Sequence, residues 1–457
     1  MGFSRKNSLL KVGDRVLLAI ESIASGGEGV AKPDGFTVFV PFSAPGDIID
    51  ATIETVKKSY AVAKIISVEK ESEMRVNAIC PHFSICGGCQ LQHIVYESQL
   101  EIKRRIVQDN ISRIGGIFLD VKSVKSMPQA FNYRNKVQFV SANIKNKLTL
   151  GLYEKLSHKI VPVEFCPLQS VISNEVLSSI YNALPENWSS YNERTNKGSL
   201  RHIVIRNSSH GEALVILVSK THLPDEKVFA SKLIKSIPCI KGVVLNLNKD
   251  KTNVILGNEN VLLCGEDFIT EEIFGKKFKI SSGSFFQVNY DGALTLAETV
   301  TSLFEKSEKS LLDAYCGGGF FSVILADRFN SVTGIEEFLP AVISAKQTAK
   351  DNDITNAEFY SGKVEKVLPE MISSGKVFDV CLFDPPRKGL EREVIDSVAQ
   401  VKIPSIVYVS CNPSTLARDL KIFEEKGYIT NFVQPVDMFP QTAHVECVAQ
   451  LKRVAEG

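Results

Sequence analysis

The sequence has no apolar run that approaches the roughly 20 residues a membrane-spanning helix requires. Residues 1–11 are polar and lack the apolar core of a secretion signal, and the chain contains neither a low-complexity tract nor an internal repeat. These absences argue against membrane, secreted, disordered and repeat proteins, and we expect a cytoplasmic chain. Without a secretion signal, the 10 cysteines favour thiol, metal or cluster chemistry over a disulfide framework.

The net charge is only +1, but it is unevenly distributed along the chain. Residues 97–160 contain 12 Lys or Arg and 5 Asp or Glu, a local balance of +7, which leaves −6 for the remainder. Such asymmetry fits a polyanionic partner, although solvated helix faces such as Lys103-Arg104-Arg105 give similar counts. Arg134, in the basic and aromatic run 131–136, is our candidate for contact with that partner.

The composition, 44% hydrophobic and 23% charged, is that of a globular protein, and its length predicts two to four domains. Residues 1–70 contain short β-rich runs between turn clusters, which predict a small OB-like β-barrel. Residues 73–270 contain a cysteine cluster followed by mixed signals, which predict an α+β domain. Residues 275–457 alternate between strand and helix patterns and predict a doubly wound, Rossmann-like α/β sheet.

A glycine loop follows the first strand of that predicted sheet, in the run Asp313-Ala314-Tyr315-Cys316-Gly317-Gly318-Gly319. Glycines let the backbone approach a ligand, and ligands of such sheets bind at the carboxyl ends of the strands. Glu336, at the end of the second strand, can accept hydrogen bonds from both hydroxyls of a ribose. The loop begins with an acidic residue and lacks a phosphate-binding lysine, which departs from phosphate binding. A NAD-type or purely structural Rossmann unit remains the alternative.

The loop resembles the first motif of class I S-adenosylmethionine methyltransferases. This resemblance implies a cofactor site formed by Asp313, Tyr315, Gly317 and Glu336. Asp313 and the glycines would line the methionine part, and Glu336 would bind the ribose.

Cys411 lies in the run Ser410-Cys411-Asn412-Pro413, directly after a strand-like apolar run. Asn412 suits a helix N-cap and Pro413 suits the first helical position, so the sulfur is predicted beside a helix N-terminus. Backbone N–H groups and the helix dipole favour a thiolate there, and the thiolate is the nucleophilic form. The alternative is a small buried residue at a strand end; Cys316 is the other candidate nucleophile.

Two further motifs contribute polar side chains to the same predicted domain. Asp384 and Arg387 lie in Asp384-Pro385-Pro386-Arg387, where Asp384 can bind a base N–H group and Arg387 a phosphate or its neighbours. Asp384 could equally be a helix N-cap. Strand alternation places His444 and Glu446 on one face, where Glu446 is a candidate general base, although an exposed edge strand would show the same pattern.

In chain order, the motifs are the glycine loop, the run 384–387, the run 410–413 and the run 444–446. Taken together in that order, they closely resemble the RNA 5-methyluridine methyltransferase family, and the resemblance covers essentially the whole chain. The N-terminal segment, with Gly27-Glu28-Gly29-Val30, resembles the TRAM domain of RNA-modifying enzymes. The resemblance implies that Cys411 adds to carbon 6 of uracil and that Glu446 removes the proton from carbon 5. It also implies a cofactor-binding role for Gln287 and Asp384. Phe285 becomes a candidate for stacking on the base.

A second cysteine set, Cys80, Cys86 and Cys89, places three thiols close together in sequence. Cys166 matches the fourth position of the family. Four cysteines suit an iron–sulfur cluster or tetrahedral zinc, because spacing alone does not select the metal. The resemblance favours a [4Fe–4S] cluster; zinc, with His82 or His93 as a further ligand, is the alternative.

The barrel and the cysteine cluster resemble the branch of the family that modifies 23S ribosomal RNA. We therefore expect a monomeric enzyme that methylates a flipped or single-stranded uridine of that RNA. A transfer-RNA uridine methyltransferase is an alternative with the same chemistry. A non-catalytic RNA-binding assembly factor is an alternative of a different class.

Overall fold

The computed structural model describes residues 10–306 and 309–454 of the chain. Residues 1–9 of the predicted barrel segment, and residues 307–308 and 455–457 of the predicted α/β domain, lie outside the described residues. The described chain forms three large sheets and a two-stranded hairpin. None of its described helices combines the length and the apolar character that crossing a bilayer demands.

The first sheet has six strands and is barrel-like. The strands are β1 (Arg15–Ala19), β2 (Ser22–Ile23), β3 (Gly29–Ala31), β4 (Thr37–Val40), β5 (Ile48–Val56) and β6 (Tyr60–Lys70). They are arranged in the order β1-β5-β6-β4-β3-β2, and β4 pairs with β6 in parallel. Val38 and Val40 are buried while their neighbours are partly exposed, so one face of β4 packs on the core. A single 3₁₀ turn, Pro33–Gly35, precedes β4.

Helix α1 (Tyr96–Arg113) follows the segment that contains Cys80, Cys86 and Cys89. Ile102 and Ile106 pack with residues of the first sheet and the cysteine segment. Val107 and Ile111 pack into the core of the α/β domain. The helix is therefore buried between two parts of the fold.

The second sheet has seven strands in the order β13-β12-β11-β10-β7-β8-β9. These strands are β7 (Lys136–Ile144), β8 (Lys147–Tyr153), β9 (Ile160–Pro162), β10 (Leu200–Asn207), β11 (Ala213–Ser219), β12 (Ile240–Leu247) and β13 (Glu259–Gly265). Helices α2 (Val171–Ala183) and α3 (Glu226–Ser236) cover one face. The other face packs on the hairpin β14 (Phe268–Ile273) and β15 (Lys276–Ser281) and on the α/β domain. Because both faces are covered, every residue of β10 and β11 is buried.

The third sheet also has seven strands, which alternate with helices along the chain. The elements are α4 (Tyr290–Thr301), β16 (Ser310–Ala314), α5 (Phe320–Leu325), a 3₁₀ turn (Ala326–Arg328), β17 (Ser331–Glu336), α6 (Leu339–Asp351), β18 (Ala357–Ser361), α7 (Val364–Ser373), β19 (Val380–Phe383), α8 (Arg392–Gln400), β20 (Ser405–Ser410), α9 (Pro413–Glu425), β21 (Tyr428–Val436) and β22 (Glu446–Arg453). The strand order is β18-β17-β16-β19-β20-β22-β21. The predicted doubly wound α/β fold is confirmed.

The polarity of this sheet determines where its functional side chains lie. Strands β16 to β20 pair in parallel, so their carboxyl ends share one edge. The direction in which successive strands are added to the sheet reverses between β16 and β19. Ligands of such folds bind at this switch point. Strand β22 is antiparallel to both of its neighbours, β20 and β21. The start of β22 therefore joins the carboxyl ends of the parallel strands.

Candidate active site

Cys411 and Glu446 lie on neighbouring strands at the shared edge of the third sheet. Cys411 directly follows β20, and Glu446 is the first residue of β22. The ladder pairs Ser410 with Cys447, which sets the positions of both candidate catalytic residues relative to one another. The antiparallel last strand thus brings together two side chains that are far apart in sequence.

The residues after Cys411 form the predicted helix N-terminus. The Asn412 side chain accepts a hydrogen bond from the Ser414 backbone N–H at 3.1 Å, and Pro413 is the first residue of α9. This capping arrangement confirms the local structure predicted from the sequence. The Asn412 amide also donates to the Arg387 carbonyl oxygen at 3.1 Å, so the cap is tied to the Asp384 loop.

The surroundings of Cys411 oppose the thiolate that its position beside a helix N-terminus predicts. The pKa of its thiol is raised to about 11, mainly by burial and also by the charges of Glu446 and Asp384, while Arg387 acts in the opposite direction. Of these groups, Arg387 is the one that favours the thiolate. The nucleophilic thiolate at Cys411 therefore stays a prediction.

Glu446 and Asp384 form an acidic pair at this edge. The pKa of Glu446 is raised to about 8, mainly by burial and also by the charge of Asp384, while Arg387 acts in the opposite direction. Burial also raises the pKa of Asp384 to about 7. Glu446 is only 7% exposed. A carboxyl group with a pKa near neutrality suits a general base.

Arg387 connects the two acidic groups and the thiol to His444. Its guanidinium donates to the His444 ring, at 3.1 Å from Nδ1. Burial and the charge of Arg387 lower the pKa of His444 to about 4, so the neutral ring accepts this bond. His444 precedes β22 and lies in a loop, which corrects the prediction that it shares a strand face with Glu446.

The glycine loop lies beside this group at the end of β16. Asp313 is buried and accepts a hydrogen bond from the Ser322 hydroxyl at 2.5 Å. Its second oxygen, Oδ1, has no hydrogen-bond partner among the described residues, and burial raises the pKa of its carboxyl to about 7. Glu336 accepts hydrogen bonds from the Gly317 N–H at 3.2 Å and from the Phe338 N–H at 2.7 Å.

The loop leaves room for a ligand at its turn. Tyr315 and Gly317 have φ values of +66° and +53°, in the left-handed region. Apart from Gly317 itself and its two chain neighbours, no described atom lies within 4 Å of the position that a side-chain carbon would take at Gly317. The unpaired oxygen of Asp313 and this open space fit a bound nucleoside with a polar tail. Cys316 is only 7% exposed and its pKa is raised well above the usual value by burial, so it is inert as a rival nucleophile.

Phe285 and Gln287 lie in the segment between β15 and α4. Phe285 is 70% exposed, whereas the adjacent Phe286 is 8% exposed and contacts Phe278 in the core. The Gln287 carbonyl oxygen accepts a hydrogen bond from the Asn135 side chain at 3.1 Å. One aromatic side chain of the pair is thus available for stacking, and the other anchors the segment.

The four cysteines of the second set line one cavity of about 400 Å³. The Gln92 amide donates to the Cys89 sulfur at 3.1 Å. Burial raises the pKa of the Cys89 thiol to about 12, and that of the Cys86 and Cys166 thiols in the same direction. Within residues 10–306 and 309–454, no three His, Cys, Asp or Glu side chains are arranged closely enough to bind a metal ion.

Arg134 and Lys136 also line this cavity. Arg134 lowers the pKa of the nearby thiols through its charge, and its Nε has no partner in the described part of the chain. The predicted contact of Arg134 with RNA stays a prediction. His82 lines the cavity too, whereas His93 is hydrogen-bonded to the Ser43 carbonyl oxygen at 3.1 Å and does not.

Two side chains that support this site, Ser322 and Lys103, were not predicted from the sequence as parts of it. Ser322 binds Asp313 from the first turn of α5, a position that its spacing after the glycine loop could have indicated. Lys103 is fully buried, which corrects its interpretation as part of a solvated helix face. A polar residue in register with the apolar stripe of α1 was the signal that could have found it.

Comparison with known proteins reveals similarity along the whole chain. A family model described as tRNA (Uracil-5-)-methyltransferase matches residues 95–454, and a TRAM domain model matches residues 9–66. An uncharacterized RNA methyltransferase of Fusobacterium nucleatum is 39% identical over 453 residues, 98% of each chain. Another from Clostridium acetobutylicum is 41% identical over 450 residues, 95% of this chain and 96% of that one.

A solved structure has a similar fold. It is the tRNA (uracil-54, C5)-methyltransferase of Pyrococcus abyssi in complex with S-adenosyl-L-homocysteine. The two chains are 32% identical with a TM-score of 0.75, and the similarity covers 95% of this chain and 99% of the other.

Proposed function

Because the chain belongs to the RNA uracil-5 methyltransferase family of S-adenosylmethionine-dependent enzymes, we propose that it methylates a uridine through Cys411 and Glu446. The observation that carries this proposal is the placement of the two side chains on neighbouring strands, with Arg387 affecting both. A thiol and a carboxyl group so placed can serve addition at one ring carbon and proton removal at the next. A binding factor without catalysis has no use for this pair.

The first half of the proposed reaction depends on the thiol. The Cys411 thiolate adds to carbon 6 of uracil, which forms a carbon–sulfur bond and converts the ring into an enolate that is nucleophilic at carbon 5. Arg387 favours the thiolate because its charge lowers the pKa of Cys411. S-adenosylmethionine, when held at the glycine loop, would supply the electrophilic methyl group, with cleavage of its sulfonium–methyl bond and S-adenosylhomocysteine as the product that leaves. The uridine must be flipped or unpaired, and Phe285 is exposed where it can stack on the base.

The second half depends on the carboxyl group. After methyl transfer, carbon 5 carries both the methyl group and its original proton. Ionised Glu446 takes this proton, and the C–H electron pair forms the carbon 5–carbon 6 double bond. The carbon 6–sulfur bond breaks as this double bond forms, and its electron pair leaves with the Cys411 thiolate. The raised pKa of Glu446 makes its carboxylate a stronger base than an exposed one.

RNA that contains 5-fluorouridine tests the mechanism. Fluorine cannot leave as a proton, so incubation with S-adenosylmethionine should trap a methylated RNA covalently on Cys411. Cys411→Ala should form no adduct, whereas Cys316→Ser, at a buried cysteine of the same domain, should still form it. An absent adduct with the wild type, or an undiminished adduct with Cys411→Ala, contradicts the mechanism.

We place the target in 23S ribosomal RNA, on the resemblance of the barrel and cysteine cluster to that branch. Transfer RNA is the second candidate, supported by the similarity to the Pyrococcus abyssi enzyme. Parallel reactions with unmodified 23S RNA and with a transfer-RNA pool separate the two, followed by mass spectrometric mapping of 5-methyluridine. A cytoplasmic monomer remains part of this proposal.

A [4Fe–4S] cluster is our proposal for the cysteine cavity. The chemistry of the donor set favours this group, because four cysteines line one cavity whose wall also carries Arg134 and Lys136; in the described chain these thiols would have to move closer together to bind it. Two cations suit a centre of net negative charge, and Arg134 favours the ionised thiols that bind metal. The cluster would have a structural or RNA-positioning role, with Cys80, Cys86, Cys89 and Cys166 as its ligands.

Metal analysis of anaerobically purified protein tests this assignment. We expect brown protein with about four iron and four sulfide per chain, as the composition of the cluster requires. Cys166→Ser should lower the iron content, whereas Cys239→Ser, at a cysteine outside the cavity, should leave it unchanged. Colourless protein with stoichiometric zinc contradicts the cluster and supports the zinc alternative.

A further inference from the structure

The loop 437–445, between β21 and β22, contains a residue in an unusual backbone conformation. Gln441 has a φ of +68°, in the left-handed region that residues other than glycine rarely adopt. Such a conformation persists only where the surroundings enforce it, and these positions cluster at functional sites. Gln441 lies three residues before His444 in the chain. The residues that surround Gln441 can therefore affect the position of His444, the side chain that contacts Arg387.

Gln99 of helix α1 holds Gln441 on both its backbone and its side chain. The Gln99 Oε1 accepts a hydrogen bond from the Gln441 backbone N–H at 3.1 Å, and its Nε2 donates to Gln441 Oε1 at 2.9 Å. The backbone N–H groups of Gln90 and Leu91 donate to the Gln441 carbonyl oxygen at 3.2 and 3.0 Å. Both glutamine side chains lie in residues at most 3% exposed. Gln441 is thus held in place by residues outside the third sheet, whose strands β21 and β22 its loop connects.

A series of hydrogen bonds leads from this pair toward the thiol. The His444 backbone N–H donates to Thr442 Oγ1 at 3.2 Å, next to Gln441 in the chain. The His444 ring accepts a hydrogen bond from Arg387, and the Arg387 carbonyl oxygen accepts one from the side chain of Asn412, the residue after Cys411. Glu446, by contrast, is held directly by the strand ladder, where it pairs with Val436. The loop conformation therefore affects His444 and Arg387 more than Glu446.

We propose that Gln99 is a positioning residue that holds Gln441 in the left-handed conformation and thereby keeps His444 and Arg387 in place beside Cys411. This deepens the proposed function and rests on the nucleophilic role of Cys411 given there. Loss of Gln99 lets Gln441 relax toward an extended or helical conformation, which moves His444 and releases its contact with Arg387. The charged groups that face Cys411 are Glu446, Arg387 and Asp384, and only Arg387 favours its thiolate.

Gln99→Met tests the proposal, because methionine has a similar length but cannot bind Gln441 on either side. Alkylation of Cys411 by iodoacetamide, followed by peptide mass spectrometry across pH, reports on the thiol without RNA or S-adenosylmethionine. We expect the midpoint of its pH profile to move to higher pH. We also expect the 5-fluorouridine adduct to form roughly 10-fold more slowly, as for other small misplacements of catalytic groups.

The double variant Gln99→Met/Gln441→Gly provides a rescue. Glycine adopts the left-handed conformation without strain, so both readouts should return toward the wild type. If Gln99→Met alone is insoluble, the double variant can be measured in its place. A folded double variant with the alkylation profile and adduct rate of the wild type supports the proposal. A folded double variant whose profile is shifted to higher pH and whose adduct forms more slowly overturns it. Combining Gln99→Met with His444→Leu should add little to either single change, since both act through the Arg387 contact.

Gln108→Leu is the matched control. Gln108 lies on the same helix and makes an equivalent two-sided contact, with Leu119 and Val121, away from the loop. It should leave the alkylation profile unchanged. An unchanged profile and adduct rate in Gln99→Met, or equal shifts in Gln108→Leu, overturn the proposal. Failure of the wild type to form the adduct concerns the proposed function alone, because alkylation still tests the role of Gln99.

Discussion

Lys103 of helix α1 and Asp437 of the loop after β21 form an ion pair in which neither side chain is exposed. The Lys103 ammonium also donates to the Phe439 carbonyl oxygen at 3.0 Å. The second Asp437 oxygen, Oδ2, has no partner within the described chain. This pair lies one helical turn from Gln99, so one face of α1 binds the loop at two points. The helix that follows the cysteine segment is thus a structural part of the active site.

We predict that Lys103→Met destabilises the protein by about 3–5 kcal/mol, because it leaves the Asp437 charge buried without a partner. The double variant Lys103→Met/Asp437→Leu should recover most of this loss. Thermal unfolding followed by circular dichroism measures both. Arg105→Ala is the control, since the Arg105 and Glu101 side chains are 68% and 42% exposed and such pairs contribute at most about 1 kcal/mol. Equal losses in the single and double variants contradict this account.

Arg387 controls the ionisation of Cys411 in our account. Removing its positive charge by Arg387→Met should raise the pKa of the thiol further, because burial and the neighbouring carboxyl groups then act unopposed. The pH profile of Cys411 alkylation should move to higher pH, and Arg387→Lys should move it less. Lys388→Ala, at the adjacent exposed residue that pairs with Glu391, is the control and should leave the profile in place. An Arg387→Met profile like that of the wild type contradicts the role.

Glu446 should make the stability of the protein dependent on pH. Its pKa is about 8 in the folded protein, above the value of roughly 4.3 in an unfolded chain. The stability associated with the protonated carboxyl is therefore present at acidic pH and is lost as the pH rises from the unfolded value through 8. Glu446→Gln, which stays neutral, should unfold at a higher temperature than the wild type, by a margin that grows between pH 5 and pH 8. Glu54→Gln, at an exposed position of β5, should show no such growth.

Phe285 and Phe286 provide a matched pair of adjacent aromatic residues. Phe285→Ala should weaken RNA binding by about 1–3 kcal/mol through lost base stacking, with little change in the unfolding temperature, because its side chain is exposed. Phe286→Ala should instead lower stability by about 3–5 kcal/mol, because it leaves a cavity against Phe278 and Phe320. RNA titration and thermal unfolding of both variants distinguish the roles. If Phe285→Ala is stable and binds RNA with unchanged affinity, Phe285 does not take part in RNA binding.

Local signals predicted more of this molecule than long-range ones did. The cap at Asn412 and the helix after it are encoded within a few residues, so the sequence alone indicates them. The partner of Lys103 lies 334 positions away, and no local pattern reveals that this lysine is buried against it. The position of Arg134 in the cysteine cavity could not be predicted for the same reason, since that cavity is built from several segments. The pKa of Cys411 depends on charges from two other motifs, the one with Asp384 and Arg387 and the one with Glu446, so the helix N-terminus alone could not predict it.

The loop between β21 and β22 depends on chain that is synthesised much earlier. Its carbonyl groups accept hydrogen bonds from Lys103, Tyr133 and the backbone of Gln90 and Leu91. The α/β sheet has its own core, but this loop does not take its final form from that sheet alone. Assembly of the active site therefore requires that the first and last parts of the chain meet. A truncated or misfolded N-terminal half would leave a methyltransferase sheet without a working thiol.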